Sequence, residues 1–257
     1  MEEAPRPIGT AELYEASTWF AKALRSGVLP VFVATCAVEA LLLLALPGPT
    51  AEIVAPMFED PAWGILNSPI NTAWLGLAVL LFVVIDLVRT GLYSPLRRVV
   101  LDDVQLTAQE AAHDAARRMI PIFLVQQLIG IIIAGATFVF VLLGVQIALI
   151  PYALVSFTLT PAVYLVAAHD RKIVNAISDA VAITRRNLFA VFSVQGALLI
   201  LAIWLGEFIQ QVASLSFDVP FATAWAVIGV VLIYRFASFW AMSTLYLALD
   251  RAGHCDS

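Results

Sequence analysis

The chain has 257 residues, of which 61% are apolar and only 13% charged, a balance outside the range of a water-soluble domain. A formal net charge of -5 argues against a nucleic-acid partner, since binding to a phosphate backbone needs a concentrated basic face. Two cysteines, Cys36 in an apolar run and Cys255 near the end, are too far apart in expected depth to pair and too few to ligate a metal, so packing for Cys36 and a free tail thiol for Cys255 are expected.

The first ten residues, MEEAPRPIGT, are acidic and carry proline, so they lack the basic region of a secretory signal, and neither Glu2 nor the closing HCDS fits a lipidation pattern. Anchoring therefore falls to the body of the chain. From Ala11 to Arg25, Leu13, Phe20, Ala21 and Leu24 can share one helical face while Glu12, Glu15, Lys22 and Arg25 face away. That pattern predicts a helix over about 11–25 lying at a membrane interface and feeding a first apolar span, Val28 to Leu46. Such a span is long enough, since a hydrocarbon core about 30 Å thick needs about 20 apolar residues in helix. The connection from Pro47 to Asn71 follows; its APMFEDPAWGIL stretch puts Trp63 at headgroup depth and reads as a lid of turns.

Thr72 to Val88 is the second span, and Asp102 with Asp103 are polar residues leading into the next helix. Thr107 and Glu110 form a TxxE capping box that predicts a helix from Ala108 through Arg118. The run from Met119 to Ala168 is almost continuously apolar and, as one helix, would be about 75 Å long. It is therefore read as two spans, Met119 to Leu143 and Pro151 to Ala168, joined by a tight turn among Gly144, Gln146 and Pro151. Asn175 is a plausible N-cap for a third interfacial helix over about 176–187, striped by Ile177, Ala180, Val181, Thr184 and Leu188. Leu188 to Gln210 and Ala222 to Leu249 complete six spans.

Thirteen of the fourteen Lys and Arg residues lie before the first span, between pairs of spans or after the last, and the opposite connections carry Glu52, Glu59, Asp60 and Asp218 with no base. The positive-inside rule makes the basic segments cytoplasmic, with both termini inside a bacterial-type plasma membrane. The three amphipathic helices end on basic residues beside a span, where Arg25, Arg117, Arg118, Arg185 and Arg186 suit anionic headgroups of the inner leaflet. Asp102 with Asp170, Thr107 with Asn175, and Arg117–Arg118 with Arg185–Arg186 share an offset of 68 residues. RSGVLPVFV from Arg25 also resembles RRMIPIFLV from Arg117, which predicts a threefold repeat of interfacial helix, span, outer turn and span.

Six spans, large amphipathic inserts before the third and fifth, and the segment NAISDAVAITRRNLF from Asn175 to Phe189 resemble the bacterial six-helix membrane families related to the membrane domain of glycerophosphodiester phosphodiesterases. The resemblance implies an all-α integral membrane bundle, one membrane domain over 1–257, and carries no catalytic residue. Phosphodiesterase activity in that family belongs to a separate soluble barrel.

Charges within spans are costly enough to be suspected of function, and here they are Glu39, Asp86, Glu207 and Arg235. At 1.5 Å per residue, Arg235 lies about 20 Å and Glu39 about 10 Å from the outer ends of their spans. Asp86 is placed near the cytoplasmic end of its span, with Arg89 one turn on, and reads as an interfacial carboxylate. Arg235 with Glu39 or Asp86 either fixes helix packing as a buried ion pair or centres a polar pathway to which Gln126, Gln127 and Gln195 add hydrogen bonds. The histidines His113, His169 and His254 lack metal-ligand spacing, and the His113–Asp114 and His169–Asp170 dipeptides read as surface polar residues. No phosphate loop or nucleophile motif occurs, and no cofactor or metal is implied.

The expectation is a non-enzymatic six-span scaffold or accessory subunit that organises lipids, a membrane-protein partner or further copies of itself. The alternative is a small-solute or lipid transporter with a polar site around Arg235 and Glu39, its spans broken at Pro121, Pro151 and Pro161. A membrane-embedded lipid enzyme would need acidic groups converging around Asp102, His113 and Asp170.

Overall fold

The computed structural model describes residues 7–23, 26–45, 72–142, 149–215 and 220–255. Among them the regular elements are all α-helices: α1 (Thr10–Ala23), α2 (Val28–Ala45), α3 (Thr72–Gly91), α4 (Tyr93–Val100), α5 (Ala108–Arg117), α6 (Met119–Leu142), α7 (Leu149–His169), α8 (Ile173–Arg186), α9 (Leu188–Leu215) and α10 (Pro220–Arg251). Four stretches are long and apolar enough to cross a membrane: Val79–Val100, Met119–Val139, Leu188–Gln211 and Trp225–Arg251. A fifth appears if Thr10–Ala23 and Val28–Leu43 are counted as one bent element, and Ala153–His169 is a shorter apolar helix. These are the helices of a membrane-embedded protein. The predicted connection over 47–71 and the turn at Gly144 and Gln146 lie outside the described residues, as does Arg25.

Local chemistry explains where α5 starts and how two prolines are accommodated. The Thr107 hydroxyl accepts from the Glu110 backbone N–H while the Glu110 carboxylate accepts from the Thr107 backbone N–H at 2.8 Å, closing the predicted capping box. Those hydrogen bonds from the Thr107 N–H and hydroxyl hold the Glu110 carboxyl below its ordinary range. Pro121, third in α6, stands where no intrahelical N–H is required. Pro161 lies deep inside α7 and cannot donate to the Phe157 carbonyl four residues back. Gln195 of α9 donates to that carbonyl at 3.1 Å. The amide expected to serve a polar pathway is thus spent where a proline has removed a backbone donor.

Several boundaries differ from expectation. The second span does not stop at Val88: α3 continues to Gly91, Leu92 keeps helical angles, and α4 carries the axis on to Val100. Pro95 does not end it, because a proline in the first turn of α4 costs no intrahelical bond. Arg89 is consequently buried in helix rather than lying in a basic loop. Asn175 is not a cap either: α8 starts two residues earlier, with Lys172 at the N-cap and no side-chain capping bond. The chain enters α8 through Asp170, whose backbone is left-handed at φ 56, a conformation that a short polar side chain tolerates.

The buried faces are shifted too. In α1 the buried residues are Ala16, Phe20 and Ala23, while Ala21 is exposed. In α8 they are Ala176, Ala180, Ile183 and Thr184, and Val181 and Leu188 of the predicted stripe are exposed. Small residues face the neighbouring helices because α8 packs closely on α7.

The described residues group into two compact units, one of Met1–Phe32, Leu87–Ala197 and Phe239–Ser257, the other of Val33–Asp86 and Leu198–Ser238. In the first, an aromatic core joins Phe20 and Phe32 to Phe239, Tyr93 to Phe239 and Tyr246, and Tyr164 to Tyr246 in a stack at 4.5 Å. Two glycines permit close backbone approach in this unit. A Cβ on Gly27 would stand 2.2 Å from the Thr107 carbonyl carbon, and one on Gly91 2.5 Å from the Ala115 oxygen. The second unit is built from the remaining parts of α2, α3, α9 and α10 and holds Glu39, Asp86 and Arg235, charges set in long apolar helices.

Candidate functional site

Arg235 of α10 meets both carboxylates proposed for it. Its Nε and Nη2 donate to one Glu39 oxygen at 3.0 and 2.9 Å, and its Nη1 lies 3.8 Å from Asp86 Oδ1. Glu39 is buried, with a side chain 4% exposed, whereas Arg235 and Asp86 are 32% and 45% exposed. Asp86 is not the residue of a helix end that the sequence suggested, because about 21 Å of helix follows it along α3 and α4. A lone charge at the centre of a span costs about 3 kcal/mol on insertion scales, so pairing with an opposite charge is the state these groups require. Gln126, Gln127 and Gln195 belong to the other compact unit; Gln127 is exposed and Gln195 is bound to Phe157.

A second polar cluster, not anticipated as a unit, gathers around Asp250. Its Oδ2 receives Arg97 Nε at 2.7 Å and the Tyr164 hydroxyl at 2.8 Å, and lies 3.0 Å from His169 Nε2. Arg97 Nη1 also reaches Asp102 at 3.3 Å. The Asp250 side chain is 2% exposed and that of His169 9%. Gly253, at φ 75, closes α10 with its N–H on the Asp250 carbonyl and the His254 N–H on the Leu249 carbonyl. This turn folds the tail inward: His254 and Cys255 are buried, Asn187 Nδ2 stands 3.4 Å from His254 Nε2, and Arg171 donates to the Cys255 carbonyl at 3.3 Å. Ligand-type atoms of His169, Asp250 and Cys255 all lie within 4.8 Å of one another.

Two expectations change, and the convergence that a lipid enzyme would need is not found among the described residues. His169 is a half-buried partner of Asp250 rather than a surface residue, and Cys255, which forms no disulfide as expected, is buried rather than out in a tail. Asp102, His113 and Asp170 do not form one set: Asp102 is bound to Arg97, Asp170 to Arg118, and His113 is exposed. Asp114 instead accepts from Ser94 at 2.9 Å and pairs with Arg98 at 3.5 Å. Among the arginines assigned to lipid headgroups, Arg117, Arg185 and Arg186 are exposed at helix ends, while Arg118 is engaged by Asp170.

The Asp250 cluster had one legible trace. A carboxylate closes a long apolar run and a glycine follows three residues on, the pattern of a buried helix end with a left-handed cap. Compared with models of protein families, with curated proteins and with solved structures, the chain matches none.

Proposed function

We propose that the protein is a non-enzymatic, six-span membrane scaffold or accessory subunit, with both termini cytoplasmic in a bacterial-type inner membrane. The observation that carries this reading is the mutual engagement of the intramembrane charges: Arg235 spends two hydrogen bonds on a buried Glu39, as a packing-determining ion pair does. In this reading α2, α3, α6, α7, α9 and α10 span the bilayer and α1, α5 and α8 lie on its inner face. Exposed Val174, Val181, Leu188 and Phe189 beside exposed Arg185 and Arg186 support a surface facing both acyl chains and anionic headgroups.

The proposed repeat gains support from a shared local design, in which Arg118 and Asn187 each separate an amphipathic helix from a long apolar one. The kinship with membrane domains of the phosphodiesterase-related families remains a proposal about lineage. Lipids are the partners proposed first, and a membrane protein or a second copy is the further candidate.

The test is thermal unfolding of the delipidated protein with phosphatidylglycerol or phosphatidylcholine added. Phosphatidylglycerol should raise the midpoint for the native chain and lose most of that effect in an Arg117→Gln, Arg185→Gln, Arg186→Gln variant. Transport is the second reading, supported by Asp86, a half-exposed second carboxylate beside one guanidinium. Arg235→Gln protein that folds normally but no longer moves a small anion or lipid across proteoliposomes would replace the scaffold reading with that one.

A further inference from the structure

We propose that His169, Asp250 and Cys255 form a three-ligand site for a divalent transition ion of the Zn²⁺ class. The three side chains offer an imidazole nitrogen, a carboxylate oxygen and a thiol sulfur, the donor set that a borderline-soft ion accepts. They come from separate places in the chain: His169 ends α7, Asp250 lies in the last turn of α10, and Cys255 returns through the turn at Gly253. Without that left-handed glycine the tail would run away from Asp250, so the fold commits a specific turn to the convergence.

The distances suit binding with a small adjustment. Bonds of about 2.0 to 2.3 Å to a tetrahedral ion separate neighbouring ligand atoms by about 3.3 to 3.8 Å, so atoms within 4.8 Å need close by only about 1 Å. Supports for the ligands already stand in place. Tyr164 and Arg97 donate to Asp250 and would remain as outer hydrogen bonds that orient the carboxylate. Asp102 offsets the Arg97 charge, and Arg171 donates to the Cys255 carbonyl.

Proton balance follows from the ligand types. In the free site His169 Nε2 carries the proton it gives to Asp250, so metal binding requires that proton to leave Nε2, with the neutral ring keeping one on Nδ1, and also releases the Cys255 thiol proton to solvent. The hydrogen bond between His169 and Asp250 gives way to a shared ion. The fourth position stays open to water or to an added ligand, and nothing in the site changes oxidation state.

Cobalt(II) titration of untagged, metal-stripped, full-length protein in detergent provides the test. One equivalent of Co²⁺ should bind with the near-ultraviolet sulfur-to-metal charge-transfer band of a single thiolate, and one equivalent of Zn²⁺ should displace it. Cys255→Ser should lose that band and Cys36→Ser should keep it. Tyr164→Phe should keep the band but bind about 10 to 100-fold more weakly, as loss of an outer support predicts. X-ray absorption of the zinc-loaded Cys36→Ser protein gives a readout that does not depend on Cys255→Ser folding, with one sulfur at about 2.3 Å expected. No stoichiometric binding, a cobalt spectrum without the sulfur band, or a zinc shell of oxygen and nitrogen alone would overturn the site.

Discussion

Arg97 and Arg235 are held by the same geometry in two parts of the molecule. Each donates its Nε to a carboxylate almost removed from solvent, Asp250 for Arg97 and Glu39 for Arg235, and each turns Nη1 toward a carboxylate 45% exposed, Asp102 and Asp86 respectively. The supply of donors separates them. Asp250 has contacts with three side chains of different chemistry, whereas both of the hydrogen bonds from Arg235 to Glu39 come from one guanidinium. Losing Arg97 leaves Asp250 its contacts with Tyr164 and His169, whereas losing Arg235 takes two hydrogen bonds and the opposite charge from Glu39 at once.

The largest expected effect therefore belongs to Arg235→Ala. Removing the guanidinium takes two hydrogen bonds from a carboxylate 4% exposed, a loss of about 3 to 5 kcal/mol by analogy with broken buried pairs. Unfolding in detergent or bicelles should show it, and Arg235→Met combined with Glu39→Leu should recover most of it. A single variant as stable as the native chain would end the contrast, because the pair would then contribute nothing to packing.

Arg97→Ala should be milder, about 1 to 3 kcal/mol, since Tyr164 and His169 stay on Asp250. The informative quantity is the difference between the two arginine variants in one unfolding assay. Equal losses would mean that the extra donors around Asp250 carry little weight.

The two clusters were not equally legible in the sequence. Arg235 and Glu39 stood out because charge is rare in an apolar run and expensive there. Their pairing could be posed from the chain alone, but Asp86 reads as an interfacial carboxylate because the second span is ended at Val88, with Arg89 one turn on. Proline in a first helical turn and arginine in a last turn are both compatible with helix, so composition could not separate those outcomes. The Asp250 cluster was nearly invisible, since Arg97, Tyr164 and His169 lie 153, 86 and 81 residues from Asp250 and no local periodicity links them. The capping box, by contrast, was fully local, and Thr107 and Glu110 formed it as their spacing required. Helix positions were legible where hydropathy dominated; buried faces were offset where small residues, rather than large ones, met the neighbouring helix.

Close packing offers a third comparison with the ion pairs. Gly91→Ala would put a methyl group against the Ala115 backbone, and overpacking of that kind costs about 1 to 3 kcal/mol. The loss should appear in hydrogen exchange of α5 and α4. Exchange around Glu39 and Asp86 reports whether the intramembrane triad depends on that packing; equal deprotection there would remove the independence assumed for the two regions.

The smallest effect is expected at the α5 cap, where Thr107→Ala removes the hydroxyl that accepts from the Glu110 N–H and should cost about 1 kcal/mol. The native cap also has a pH signature. The Glu110 carboxyl is held below its ordinary range in the folded chain, so its contribution is fully present above the unfolded glutamate pKa and is lost as pH falls through the lower folded value. Amide exchange at Thr107 and Glu110, compared between neutral and acidic pH with the intrinsic exchange rate removed, should show protection falling on acidification. Thr107→Ala and Glu110→Gln should flatten that response. Because α5 lies against Gly27 and Gly91, the cap variants should loosen the Asp250 unit slightly while leaving the Arg235 pair unchanged. A matching shift at Glu39 would show that the pair is supported through the packing of α5 and not by its own guanidinium geometry.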